Sequence, residues 1–128
     1  MQITYEIVIP NDEMIAFLDA YSFNLKKDLK TLNLTNKEIE DIIIDASINI
    51  ETSLKGAPIV GNQFVSMRKI DVNYGNSGVK RGLRLILFVV MRERQLTLIH
   101  VYSKSKKKDM TKKEYKGLNE LYDALLEG

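Results

Sequence analysis

The fold is decided by three apolar segments in the second half of the chain: FVSMRKIDV at residues 64–72, GLRLILFVVM at 82–91 and QLTLIHVYSK at 95–104. Each is rich in β-branched and aliphatic residues and bounded by glycine or charged residues, which predicts a strand. RER at 92–94 is short enough for a hairpin between the last two, and the longer NYGNSGVKRG at 73–82 joins the first two. Connections of these lengths return the chain antiparallel. The three strands form the expected centre of the protein.

Upstream, QITYEIVI at residues 2–9 predicts another strand, ended by Pro10 and Asn11. Met14, Phe17, Leu18, Tyr21 and Leu25 recur at helical spacing, predicting one helix that runs out near Leu32 and Asn33. Thr35 and Glu38 form a T-x-x-E capping box ahead of Ile39, Ile42, Ile43, Ala46 and Ile50, a second helix expected to end near Gly56. KGAPIVG, at residues 55–61, reads as a turn-rich connection. A second capping box, Thr111 with Glu114, opens a C-terminal helix with Tyr115, Leu118, Leu121, Tyr122 and Leu125 on its apolar face. The expectation is one α+β domain over residues 1–128: a small, mainly antiparallel sheet with two N-terminal helices and a C-terminal helix.

Composition limits the chemistry. With 45% apolar and 28% charged residues the chain has the make-up of a folded domain. It has no cysteine and one histidine, so disulfides, thiolate nucleophiles and zinc ribbons are excluded, and no metal site or cofactor is expected. The start MQITYEIVIPNDE lacks a signal-peptide pattern and no apolar run reaches membrane-spanning length, which predicts a cytoplasmic protein without membrane contact. Net charge is +2 but unevenly spread: residues 1–65 hold 5 Lys/Arg against 10 Asp/Glu, and residues 66–128 hold 14 against 7. A polyanion would bind the second half.

Gly75, Gly78, Lys80, Arg81 and Gly82 do not form a P-loop, because these glycines lead into a strand rather than a helix. One histidine cannot support a Ser-His-Asp arrangement, and no carboxylate pair suggests glycoside hydrolysis. Strand parity is more informative. Arg84 shares a face with Ile86 and Phe88, while His100, Tyr102 and Lys104 share a face of the next strand, so cations and hydrogen-bonding rings can converge there. The same pattern also suits core rings with cations at strand ends.

Residues 67–70 (MRKI), the basic loop ending KRGLRLI at 80–86, the strand LIHVYSK at 98–104, and KSKKKDMT at 104–111 followed by Glu114 and Leu118 together resemble the RelE/ParE superfamily of toxins, most closely its RelE and HigB members. The last stretch is similar to the K-x-x-x-x-D-L-[ST]-x-x-E pattern of those relatives. The resemblance covers residues 56 to about 120. It implies the toxin of a bacterial toxin-antitoxin pair, a metal-independent endoribonuclease that cuts messenger RNA on the ribosome, with a cognate antitoxin as partner. It assigns phosphate binding to Arg84, base or charge-stabilising work to Lys69, and the place of a second catalytic arginine to Lys104. Tyr102 or His100 stands in for a tyrosine that has no clear counterpart, since Tyr115 lies in the predicted helix. Arg68, Lys80, Arg81, Lys106, Lys107 and Lys108 are the expected RNA-binding residues. Asp71 departs from the pattern, placing an acceptor where some relatives carry a cation. ParE-like inhibitors of DNA gyrase and inactive binding modules share the scaffold and are the alternatives.

Overall fold

The computed structural model describes residues 5–48, 50, 54–74 and 81–127. Its elements are β1 (Glu6–Val8), α1 (Asp12–Asp19), α2 (Leu25–Leu32), α3 (Asn36–Ile48), β2 (Val60–Gly61), β3 (Val65–Tyr74), β4 (Arg81–Val90), β5 (Gln95–Ser103) and α4 (Lys112–Glu127). The class is α+β. The five strands form one mixed sheet in the order β1-β5-β4-β3-β2. β3 pairs with β4, and β4 with β5, antiparallel, as the loop lengths predict, whereas β1 lies parallel to β5, with Glu6 opposite Gln95.

Three details correct the sequence reading. The expected first helix is two helices, so three, not two, precede the long strands. The break falls at residues 20–24, where Ser22 takes a left-handed φ of 78° and the Asn24 side chain caps α2 by accepting from the Lys27 N–H at 3.1 Å. Within the supposed connection 55–61, Val60–Gly61 pairs with β3 as a short edge strand. The second helix is described as far as Ile48, and residues 51–53, before its expected end at Gly56, lie outside the described residues.

Both capping boxes form. Thr35 Oγ1 accepts from the Glu38 N–H and Glu38 accepts from the Thr35 N–H; Thr111 and Glu114 repeat the exchange at 3.1 and 2.9 Å. Each satisfies two helix-end donors that would otherwise lack partners.

Helices cover both faces of the sheet. On one, Leu25, Leu29, Ile39 and Ile43 pack with Ile70, Leu85, Leu87 and Leu98. On the other, Leu18 and Phe23 join Leu118, Leu121 and Tyr122 over Met67, Ile86 and Ile99. β1 stops opposite Thr97, and beyond it α2 covers the β5 edge, where Asp28 accepts from the Val101 N–H at 3.3 Å. A side chain thus takes over the hydrogen bonding that a longer β1 would provide. Near Ile99 the β4–β5 register shifts, so that Ile86 faces His100 while Leu87 faces Leu98.

A cationic sheet face under the C-terminal helix

Strand register assembles the candidate site. Asp71 lies opposite Arg84, and Arg84 opposite Tyr102; one pair along, Lys69 lies opposite Ile86, and Ile86 opposite His100. Lys69, Arg84, Tyr102 and His100 therefore share the face expected from parity. Lys104 follows the end of β5, its N–H donating to the Gly82 carbonyl at 3.0 Å. A Cβ at Gly82 would stand 2.8 Å from Lys104 Cε, so the missing side chain leaves room for the lysine stem.

Every cation of this group meets a carboxylate. Arg84 Nε donates to Asp71 Oδ1 at 2.8 Å, and Lys104 Nζ lies 3.6 Å from Asp71 Oδ2. Arg84 Nη1 donates to the Lys108 carbonyl at 2.9 Å, tying the strand to the loop that follows β5. Partial burial raises the Asp71 carboxyl, but the Arg84 guanidinium and then Lys104 outweigh it and hold the group below the usual carboxylate range. Lys69 Nζ sits 3.4 Å from both Asp109 Oδ1 and the Tyr115 hydroxyl. Tyr115 donates to Asp109 at 2.6 Å; burial and that carboxylate push its phenol up to about 12. The Tyr115 hydroxyl first, and then the Met110 N–H and Lys69, hold Asp109 low against a small opposing burial.

In the sequence Tyr115 reads only as a residue of a helix's apolar face, yet the first turn of α4 carries its hydroxyl to Lys69. The capping box fixes where that turn begins; only the docking of α4 on the sheet reveals where the ring points.

Other expected site residues lie elsewhere or do different work. Arg68 is 5% exposed and points to the opposite face, its Nε donating to Ser66 Oγ and its Nη1 to the Leu54 and Gly56 carbonyls. It fastens the segment after α3 to the sheet and is not a surface for RNA, as alternation with Lys69 requires. His100 is buried too: Nδ1 lies 2.7 Å from Asp28 Oδ2, while Nε2 lies 3.2 Å from Glu114 Oε2 without the geometry of a hydrogen bond, so the ring sits between α2 and α4 instead of opening to solvent. The Tyr102 hydroxyl is buried with no hydrogen-bond partner among the described residues, and the Lys107 ammonium lies 5.3 Å from the ring centre. Burial pushes this phenol up, while the neighbouring Arg84 pulls the other way. Lys107 pairs with Glu114 and is part of the scaffold, unlike the exposed Lys106 and Lys108. Arg81 opens β4 opposite Tyr74. Lys80, with Gly75 and Gly78, lies outside the described residues.

Glu114 gathers Lys107, His100 and the Thr111 N–H. Burial raises its carboxyl, but Lys107, then Thr111, then His100 outweigh it and bring it below its ordinary value. A depressed carboxylate contributes stability above its unfolded pKa, near 4.3, and loses it as pH falls through the lower folded value. The melting temperature is therefore expected to stay level from pH 7 to about 5 and to fall below about pH 4. Glu114→Gln should cost about 2 kcal/mol at neutral pH and flatten the acid limb in thermal melts.

Among the described residues, no group of three or more His, Asp or Glu side chains is placed to hold a metal ion, and no helix is long and apolar enough to cross a membrane. No protein-family model matches the chain, and no curated protein matches it.

Proposed function

We propose that this chain is the toxin of a bacterial toxin-antitoxin pair, a RelE-like, metal-independent endoribonuclease that cuts messenger RNA on the ribosome in the cytoplasm and is held in check by a cognate antitoxin. The observation that carries the reading is the gathering of Lys69, Arg84 and Lys104 on one sheet face, with the Tyr115 hydroxyl brought over Lys69 by α4.

On this reading the 2′-hydroxyl attacks the adjacent phosphorus and its proton passes to Asp109. The bond from phosphorus to the 5′-oxygen then breaks, leaving a 2′,3′-cyclic phosphate and a 5′-hydroxyl. Arg84 and Lys104 neutralise the charge that develops on the phosphorane oxygens, and Lys69 adds a third cation. Tyr115, with its proton held up to a pKa of about 12, protonates the leaving 5′-oxygen; a phenol at that value is still far more acidic than the alcohol formed.

A protein-directed reading, a ParE-like inhibitor of DNA gyrase, has one observation in its favour: Asp71 and Asp109 already neutralise the cations that RNA would need. Expression in bacteria followed by primer-extension mapping separates the two. Transcripts cut within codons are the result expected for the nuclease. Intact transcripts with DNA-damage signalling would transfer the assignment to the inhibitor.

Lys106 and Lys108 are exposed and should serve attraction rather than chemistry. Replacing both with alanine should weaken ribosome binding and lower the slope of log affinity against log salt by about 1 per lysine, leaving the cleavage rate at saturation unchanged.

A further inference from the structure

Asp71 is the residue that fits a phosphate-binding face least well, and its placement gives it a role. Its two oxygens are divided between two cations, Oδ1 with Arg84 Nε at 2.8 Å and Oδ2 facing Lys104 Nζ at 3.6 Å. Two oxygens on one centre, shared between a guanidinium and an ammonium, are what a phosphodiester would present to the same donors. The Asp71 side chain is half exposed, against 20% for Arg84, so the carboxylate has open solvent to turn into while the arginine stays on the sheet. Beside Arg84, on the paired position of β5, Tyr102 is 5% exposed; Arg84 is the group that acts on its buried hydroxyl, but no contact among the described residues has the geometry of a full hydrogen bond to it. A buried hydroxyl beside the guanidinium, without a well-formed hydrogen bond of its own, can donate to a ligand oxygen that takes the place of the Asp71 carboxylate on Arg84.

We propose that Asp71 is a built-in occupant of the phosphate site, a carboxylate that holds Arg84 and Lys104 until a phosphodiester of RNA displaces it. This rests on the nuclease reading for the identity of the anion, not for the geometry. The carboxylate keeps a strongly cationic face from binding stray polyanions, and it sets the threshold that a substrate must exceed to enter. Removing its charge should then increase affinity, the opposite of what a residue needed to position Arg84 would give.

The test measures fluorescence anisotropy of a fluorescein-labelled, 2′-O-methyl single-stranded hexaribonucleotide, which cannot be cleaved, at low salt. Asp71→Asn should tighten binding about tenfold over the parent protein. Asp45→Asn, the same charge change on the exposed surface of α3, should shift it by roughly twofold or less, and Arg84→Ala in the Asp71→Asn background should erase the gain. Equal gains from both substitutions, weaker binding by Asp71→Asn, or no binding by that variant would each overturn the proposal. The nuclease reading fails separately. A gain in affinity with messages left intact on ribosomes keeps Asp71 as the occupant of an anion site and removes the enzyme, whereas cleavage without the gain does the reverse.

Discussion

Arg84→Ala is expected to bind ribosomes almost as the parent does and to cut messenger RNA about a hundredfold more slowly, a loss of about 3 kcal/mol of transition-state stabilisation. The reason is where the charge appears. In the ground state the phosphodiester carries one negative charge; as the phosphorane forms, charge builds on the oxygens that Arg84 is placed to meet. An interaction that strengthens along the reaction is lost from the rate and not from binding. Arg84 pairs with a half-exposed aspartate and also ties β4 to the loop after β5 through the Lys108 carbonyl, so its removal should cost a small part of the stability without unfolding the sheet. Thermal melting must accompany the assay, because an unfolded variant would imitate a catalytic defect. Single-turnover cleavage on programmed ribosomes reads the rate. A folded Arg84→Ala protein that cuts at the parent rate would remove Arg84 from the chemistry and leave the gyrase-inhibitor reading in front.

The largest expected effect on stability comes from a residue outside the cationic face. Gly117 is buried within α4, and a Cβ there would lie 2.3 Å from the Tyr21 carbonyl oxygen and 3.3 Å from its carbon. In an ordinary helix interior, replacing glycine with alanine adds up to about 1 kcal/mol of stability. Here the sign reverses, because the obstacle is backbone and cannot rotate away. We expect Gly117→Ala to cost about 2–3 kcal/mol and to lower the melting temperature by roughly 10 °C. Gly56→Ala is the control, since a Cβ at Gly56 meets nothing within 4 Å, and it should change stability by no more than about 0.5 kcal/mol. A Gly117→Ala protein as stable as the parent would show that α4 does not ride on the α1–α2 connection as closely as described.

That contact also explains which features could be read from the sequence. The three long strands, their antiparallel order and both capping boxes depend on local signals, alternation and short spacings, and all are found. The helix break at residues 20–24 left one local sign: Asn24 is a good N-cap three residues before Lys27, but the unbroken apolar spacing from Met14 to Leu25 masked it. Arg68 was also legible, because two adjacent strand residues cannot both face the same ligand and Lys69 claims the open side. By contrast, Tyr115 at Lys69, and His100 between Asp28 and Glu114, depend on how α2 and α4 dock, which no spacing along the chain encodes. Asp71 could be recognised as out of place, but its two cation partners appear only once β3, β4 and the end of β5 lie side by side.

The parallel pairing of β1 with β5 also sets the order in which the molecule can be built. Glu6 and Gln95 are 89 residues apart, and at 5–20 residues per second a ribosome needs roughly 4 to 18 s to make the chain between them. For that time the first strand has no partner, and Leu25, Leu29, Ile39 and Ile43 have no sheet to cover them. The helices emerge with their apolar sides bare, a period in which aggregation and chaperone capture compete with folding. The cationic face comes later still, since Arg84 waits for β5 and Lys69 for the first turn of α4. On the nuclease reading, the chain is inert until the first turn of α4 has been made and has left the ribosome.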